Sequence, residues 1–189
     1  MFDMAIPASL SGMNMALSRA RAIAQSGGDG GTYTNATEIH GIAKDYIHPT
    51  YGMQKRLLVY NSSGADIPIN TAVKFKSGSS YEILASAGAE DNKDIFAGLV
   101  PTDLIDISSG ANNYAGIKNG SLGWIVVAGD ALAISDAALT VHTSMQTSAT
   151  AGTLRDNPLA NDADLISQVG ISVTGRADAG TFRVRLSKP

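Results

Sequence analysis

From Lys55 onward the chain alternates between short apolar runs and clusters of Gly, Asn, Asp, Ser and Pro. The runs are KRLLVY, NTAVKF, YEILAS, DIFAGLV, YAGIK, LGWIVVAG, ALAIS, LTVHT, LISQVGISVTG and TFRVRLS. Their β-branched and aromatic content, with turn residues between them, predicts strands. Many short strands in succession predict an all-β fold, an antiparallel β-sandwich or barrel. In TFRVRLS, Phe182, Val184 and Leu186 alternate with Arg183 and Arg185, which predicts a strand with one buried and one basic, wet face. In GSLGWIVVAGDALA, residues 120–133, the apolar positions are consecutive instead. Such a run suits a strand covered on both sides and makes Trp124, the single tryptophan, an expected core anchor.

The first 53 residues have a different pattern. Over residues 8–25, Leu10, Met13, Leu17, Ala20 and Ala24 recur at helical spacing, and Arg19 and Arg21 near the end suit the helix dipole. SGGDGG, residues 26–31, stops any regular element and predicts a hinge. Residues 32–53 show no sustained period, yet Tyr33, Ile39, Ile42, Tyr46, Ile47 and Tyr51 are too apolar for simple disorder. A segment of that kind orders against a neighbouring chain. The expected organisation is therefore an extended N-terminal arm with one short helix, residues 1–53, and a β-domain, residues 54–189.

Composition narrows the functional classes. The formal charge of −3 gives no global attraction to nucleic acid or to an anionic membrane surface, and neither is an expected partner. No run approaches the roughly 20 apolar residues of a membrane span. The N-terminus lacks the pattern of a secretory signal, so synthesis in the cytoplasm is expected. Cysteine is absent, which removes disulfides and thiolate chemistry. Charged residues make up only 16% of the chain, and a surface so rich in small uncharged side chains points to assembly.

The chemistry of catalysis is sparse. His40, His48 and His142 have no metal-ligand spacing, and the serines include no G-x-S-x-G elbow. GGDGG lacks both the Lys-Ser/Thr of a P-loop and a preceding strand. DNPLANDAD, residues 156–164, gathers hard oxygen ligands without the spacing of an EF-hand and reads as a solvated turn. Asp103 and Asp106 read as turn and cap residues. Arg176, Arg183, Arg185 and Lys188 read as a charged face, either solvated or meeting an acidic protein partner. No enzyme activity, metal or cofactor is expected.

Four segments between Leu57 and Val127, and a little beyond, carry a resemblance: YNSSGADIPINTAVKF (60–75), YEILAS (81–86), AGLVPTDL (97–104) and GSLGWIVVAGDALA. Together they resemble the small cement or decoration proteins of tailed-phage heads. Asn70 stands where that family often has glycine, and the long arm is not shared by its smallest members. The resemblance implies an all-β virion protein, often trimeric, that binds the major capsid protein where subunits meet, stabilises the head and needs no cofactor. Leu10, Met13, Leu17, Ile39, Ile42, Tyr46 and Tyr51 of the arm are the expected contacts with the capsid or a sister subunit. The alternative is a tail or fibre module that binds host-surface glycan on an aromatic platform, for which Trp124, Tyr81 and Tyr114 are the candidates.

Overall fold

The computed structural model describes residues 41, 43–78, 81–85, 96–106, 114–157 and 168–187. Among them the regular elements are all strands: β1 (Ala43–His48), β2 (Gly52–Asn61), β3 (Ile67–Pro68), β4 (Ala72–Phe75), β5 (Glu82–Ala85), β6 (Phe96–Leu99), β7 (Ile105–Asp106), β8 (Tyr114–Ile117), β9 (Leu122–Ser135), β10 (Ser144–Thr147), β11 (Leu154–Asp156), β12 (Gly170–Ser172) and β13 (Gly180–Ser187). The all-β expectation holds. The arm helix over 8–25 and the hinge over 26–31 lie outside the described residues.

The long strand β9 organises the rest. Its first half pairs antiparallel with β2 and, at Val126, with β6. Its second half pairs antiparallel with β13 and, at Ser135, parallel with β11. Hydrogen bonding then closes two circuits on this one strand, β2-β5-β4-β6-β9 and β9-β11-β10-β12-β13. The barrel expectation is thus met as two small fused rings. They are not purely antiparallel, because β2–β5 and β11–β9 run parallel.

Each ring has its own apolar filling. Val59, Val73, Ile83, Ala97 and Ile125, one from each strand, fill the first ring with Ile67 and Ile117 from the separate β3-β8-β7 sheet. Ala131, Ala133, Met145, Leu154, Phe182, Val184 and Leu186 fill the second. Where the rings meet, successive residues feed different cores: Ile125 belongs to the first cluster and Val126 to the second. Ala72 and Val73 on β4, and Phe96 and Ala97 on β6, split in the same way. That two-sided burial is why these strands read as unbroken apolar runs.

The structure departs from the sequence reading at identifiable places. LGWIVVAG and ALAIS are one strand, since Gly129 takes a positive φ of 96° and continues the ladder. A Cβ at Gly129 would lie 2.4 Å from the Met53 carbonyl oxygen, so only glycine lets β2 approach there. LTVHT is not a strand. Leu139 makes an isolated bridge to Arg176, and the Ser172 hydroxyl donates to the Thr140 carbonyl while accepting from the Thr143 amide. Such side-chain bonds compete with a ladder. Asn70, in the position the resembled family gives to glycine, has a φ of 63°, a left-handed conformation that asparagine tolerates. The boundary drawn between residues 53 and 54 falls within β2, so residues 43–53 are part of the sheet.

A candidate interaction site on the first hairpin

The segment AKDYIHPTYGMQKR folds as a hairpin because its turn closes on one imidazole. His48 Nδ1 accepts from the amides of Thr50 (3.0 Å) and Tyr51 (3.2 Å), taking up two donors that the turn would otherwise leave unpaired. The Tyr51 ring lies 4.5 Å from the His48 ring, which is itself buried. The register then sets Tyr46 opposite Gln54, Ile47 opposite Met53 and Asp45 opposite Lys55. Period two sends these rows to opposite faces.

The inward row is polar and tightly bonded. Arg56, only 4% exposed, donates to Gln54 Oε1 through Nε (3.0 Å) and Nη2 (2.7 Å), and Nη2 reaches Asp103 Oδ1 at 2.8 Å. Its guanidinium carbon lies 3.7 Å from the Tyr46 ring centroid, and the Tyr46 hydroxyl donates to Asp103 Oδ2 at 2.9 Å. Gln54 Nε2 donates to the Asp130 carbonyl at 2.7 Å. Asp130 in turn accepts from Arg183 and, at 2.6 Å, from Arg185 Nε. The Arg183 guanidinium lies 5.6 Å from the Tyr51 ring.

These contacts perturb the acids in one direction. Burial pushes the Asp103 carboxyl up, but the hydrogen bond and charge of Arg56, with the Tyr46 hydroxyl, outweigh it and hold the group below its usual value. The hydrogen bond from Arg185 lowers Asp130 against the opposing effect of burial, aided by Arg183. Tyr46 moves upward, first through its hydrogen bond to Asp103. The network is a structural clamp: it ties the hairpin to the 101–104 turn and to β13.

The outward row is different. Ile47 is 73% exposed and Met53 64%, the two most exposed large hydrophobics among the described residues. They are direct cross-strand partners. The outer side of β1 has no strand partner among the described residues. At its base, the Gly41 amide donates to the Leu58 carbonyl at 2.7 Å, and the Tyr81 ring sits where a Gly41 Cβ would be, within 2.4 Å. With a φ of 88°, Gly41 is a position that only glycine fits.

Of the candidate contact residues, Tyr46 and Tyr51 fall in this hairpin; Leu10, Met13, Leu17, Ile39 and Ile42 lie outside the described residues. Tyr46 and Tyr51 are both engaged within the fold, so the hairpin's free apolar surface consists of Ile47 and Met53. Arg183 and Arg185 are not a free basic face, since both hold Asp130. The candidates for a glycan platform are dispersed. Trp124 is half-buried rather than a core residue, and the Lys44 ammonium lies 3.9 Å from its ring centroid. Tyr81 is packed on Gly41, and the side chain of Tyr114 is outside the described set. Among the described residues no group of three His, Cys, Asp or Glu side chains is placed to hold a metal, and no helix is long and apolar enough to cross a membrane.

No family model matches the sequence, and no curated protein matches it. Among solved structures, the chain is similar to the head fiber gp8.5 N base of bacteriophage phi29, with a TM-score of 0.44 and 14% identity, over 70% of this chain and 92% of that one.

Proposed function

We propose that the protein is a structural component of a phage virion, a head cement or decoration protein that binds the major capsid protein, associates with itself and acts without catalysis or cofactor. The observation that carries the reading is spatial. The segments that resemble the decoration family, 60–75, 81–86, 97–104 and 120–133, supply the end of β2, all of β4 and β5 and most of β6 and β9 to the first ring. The resemblance therefore falls largely within one structural unit. The exposed Ile47–Met53 pair supports a role in contact, because paired apolar side chains left in water favour burial by a partner. The N-terminal segment would add area and avidity at a seam between capsid subunits.

The test is cosedimentation with heads assembled without this chain. Full-length protein is expected to bind at saturable stoichiometry and to raise the temperature at which the heads open. Deleting residues 1–40, which leaves every strand described above in place, is expected to abolish or strongly weaken binding. Failure of the full-length chain to bind heads would sink the proposal, and undiminished binding by the truncated form would remove the arm from it.

A further inference from the structure

The exposed face of the β1–β2 hairpin carries two adjacent rows, Ile47 opposite Met53 and Asp45 opposite Lys55. Asp45 and Lys55 are both exposed, and neither belongs to an ion pair among the described residues. An apolar pair beside a row that holds one charge of each sign is complementary to itself. A two-fold axis sets the apolar pairs of two copies against one another and brings Lys55 of each to Asp45 of the partner subunit. A partner surface of one predominant sign would meet attraction and repulsion in the same row. The geometry points to this face as an isologous contact between two copies of this chain.

This goes beyond capsid binding, since it needs no second kind of protein. Size sets its strength. A two-stranded face six residues long measures roughly 20 Å by 10 Å, well below the ~800 Å² per partner of a stable interface. Association through the hairpins alone is therefore weak and concentration-dependent.

The experiment is sedimentation of the full chain from about 1 µM to about 1 mM. The wild type is expected to double the mass found at the lowest concentration. Asp45→Lys and Lys55→Asp each oppose like charges across the axis and are expected to weaken association about tenfold or more. Mixing the two variants gives every charge an opposite partner and is expected to restore the doubling, a result that misfolding cannot produce. Met53→Lys is expected to hold the dilute mass throughout. A wild type of constant mass overturns the contact, as do charge variants that associate like the wild type or mixtures that do not recover. The contact rests on the self-association proposed above and names its surface; each of these outcomes leaves the binding of heads untouched, so capsid binding and this contact fail separately.

Discussion

The Arg56 guanidinium stacks on the Tyr46 ring at 3.7 Å while both side chains bond the Asp103 carboxylate, one to each oxygen. One acid thus satisfies a buried cation on β2 and a phenol on β1. Asp103→Asn removes that charge and leaves a guanidinium 4% exposed with only Gln54 as a strong acceptor. The expected loss is about 1–3 kcal/mol of stability, read from urea unfolding. Tyr46→Phe keeps the stack and loses one hydrogen bond, so its expected cost is smaller, about 0.5–1.5 kcal/mol.

Asp103 and Asp130 both titrate below their ordinary value in the folded chain. A depressed folded pKa means the unfolded chain takes up protons first as pH falls. The stabilisation is complete above the unfolded carboxylate value of about 3.9 and is lost as pH drops through the folded values. Urea midpoints should accordingly fall on the acid side of about pH 4. The double variant Asp103→Asn, Asp130→Asn should flatten that acid limb; a limb of unchanged steepness would assign it to other carboxylates.

Sharing β9 should make the two rings one cooperative unit. Phe182→Ala empties part of the second core and Ile83→Ala part of the first. The expected losses are about 3–5 and about 2–5 kcal/mol. Each should lower the midpoint of a single calorimetric transition. Two separable transitions, with each substitution moving only one, would show that the rings unfold independently.

Gly129→Ala tests the closeness of β2 and β9. The substitution both forces an alanine into a positive φ and drives its Cβ against the Met53 carbonyl. Strain of this sort costs about 1–3 kcal/mol before any clash is counted. The hairpin base is next to the clash, so hydrogen exchange should rise first at residues 53–55, ahead of β13.

Trp124 should report on the hairpin. The Lys44 ammonium covers its ring from β1, so Lys44→Ala should increase quenching of indole fluorescence by a neutral solute. Soluble sugars should leave the emission unchanged. A saturable sugar-dependent shift would return Trp124 to the role of a ligand platform.

The strands that were readable in the sequence owe it to their environment. Phe182, Val184 and Leu186 alternate with arginines because β13 has one core face, and Ile125–Val126 are both apolar because each faces a different core. β10 was invisible for the opposite reason: Ser144, Gln146 and Thr147 are buried without an apolar alternation to mark them. β1 was hidden by an inversion, since its sheltered row is Lys44, Tyr46 and His48 while Ile47 faces water. Hydropathy puts such a strand the wrong way round. Asp130 carries no mark of its role in the sequence, and only the register with Arg185 on β13 shows it as a buried counter-ion.

The shared strand also sets an order of events during synthesis. Once β9 has left the ribosome, its first half can join β2 and β6, which are already made. Its second half must wait, because the ladder from Ala128 to Ser135 is completed only by residues 180–187. Until then ALAIS presents an unpaired edge of high β-propensity, the kind of surface on which nascent chains stick to one another. The rate at which β13 is delivered and docked therefore bears on how much of this chain folds productively.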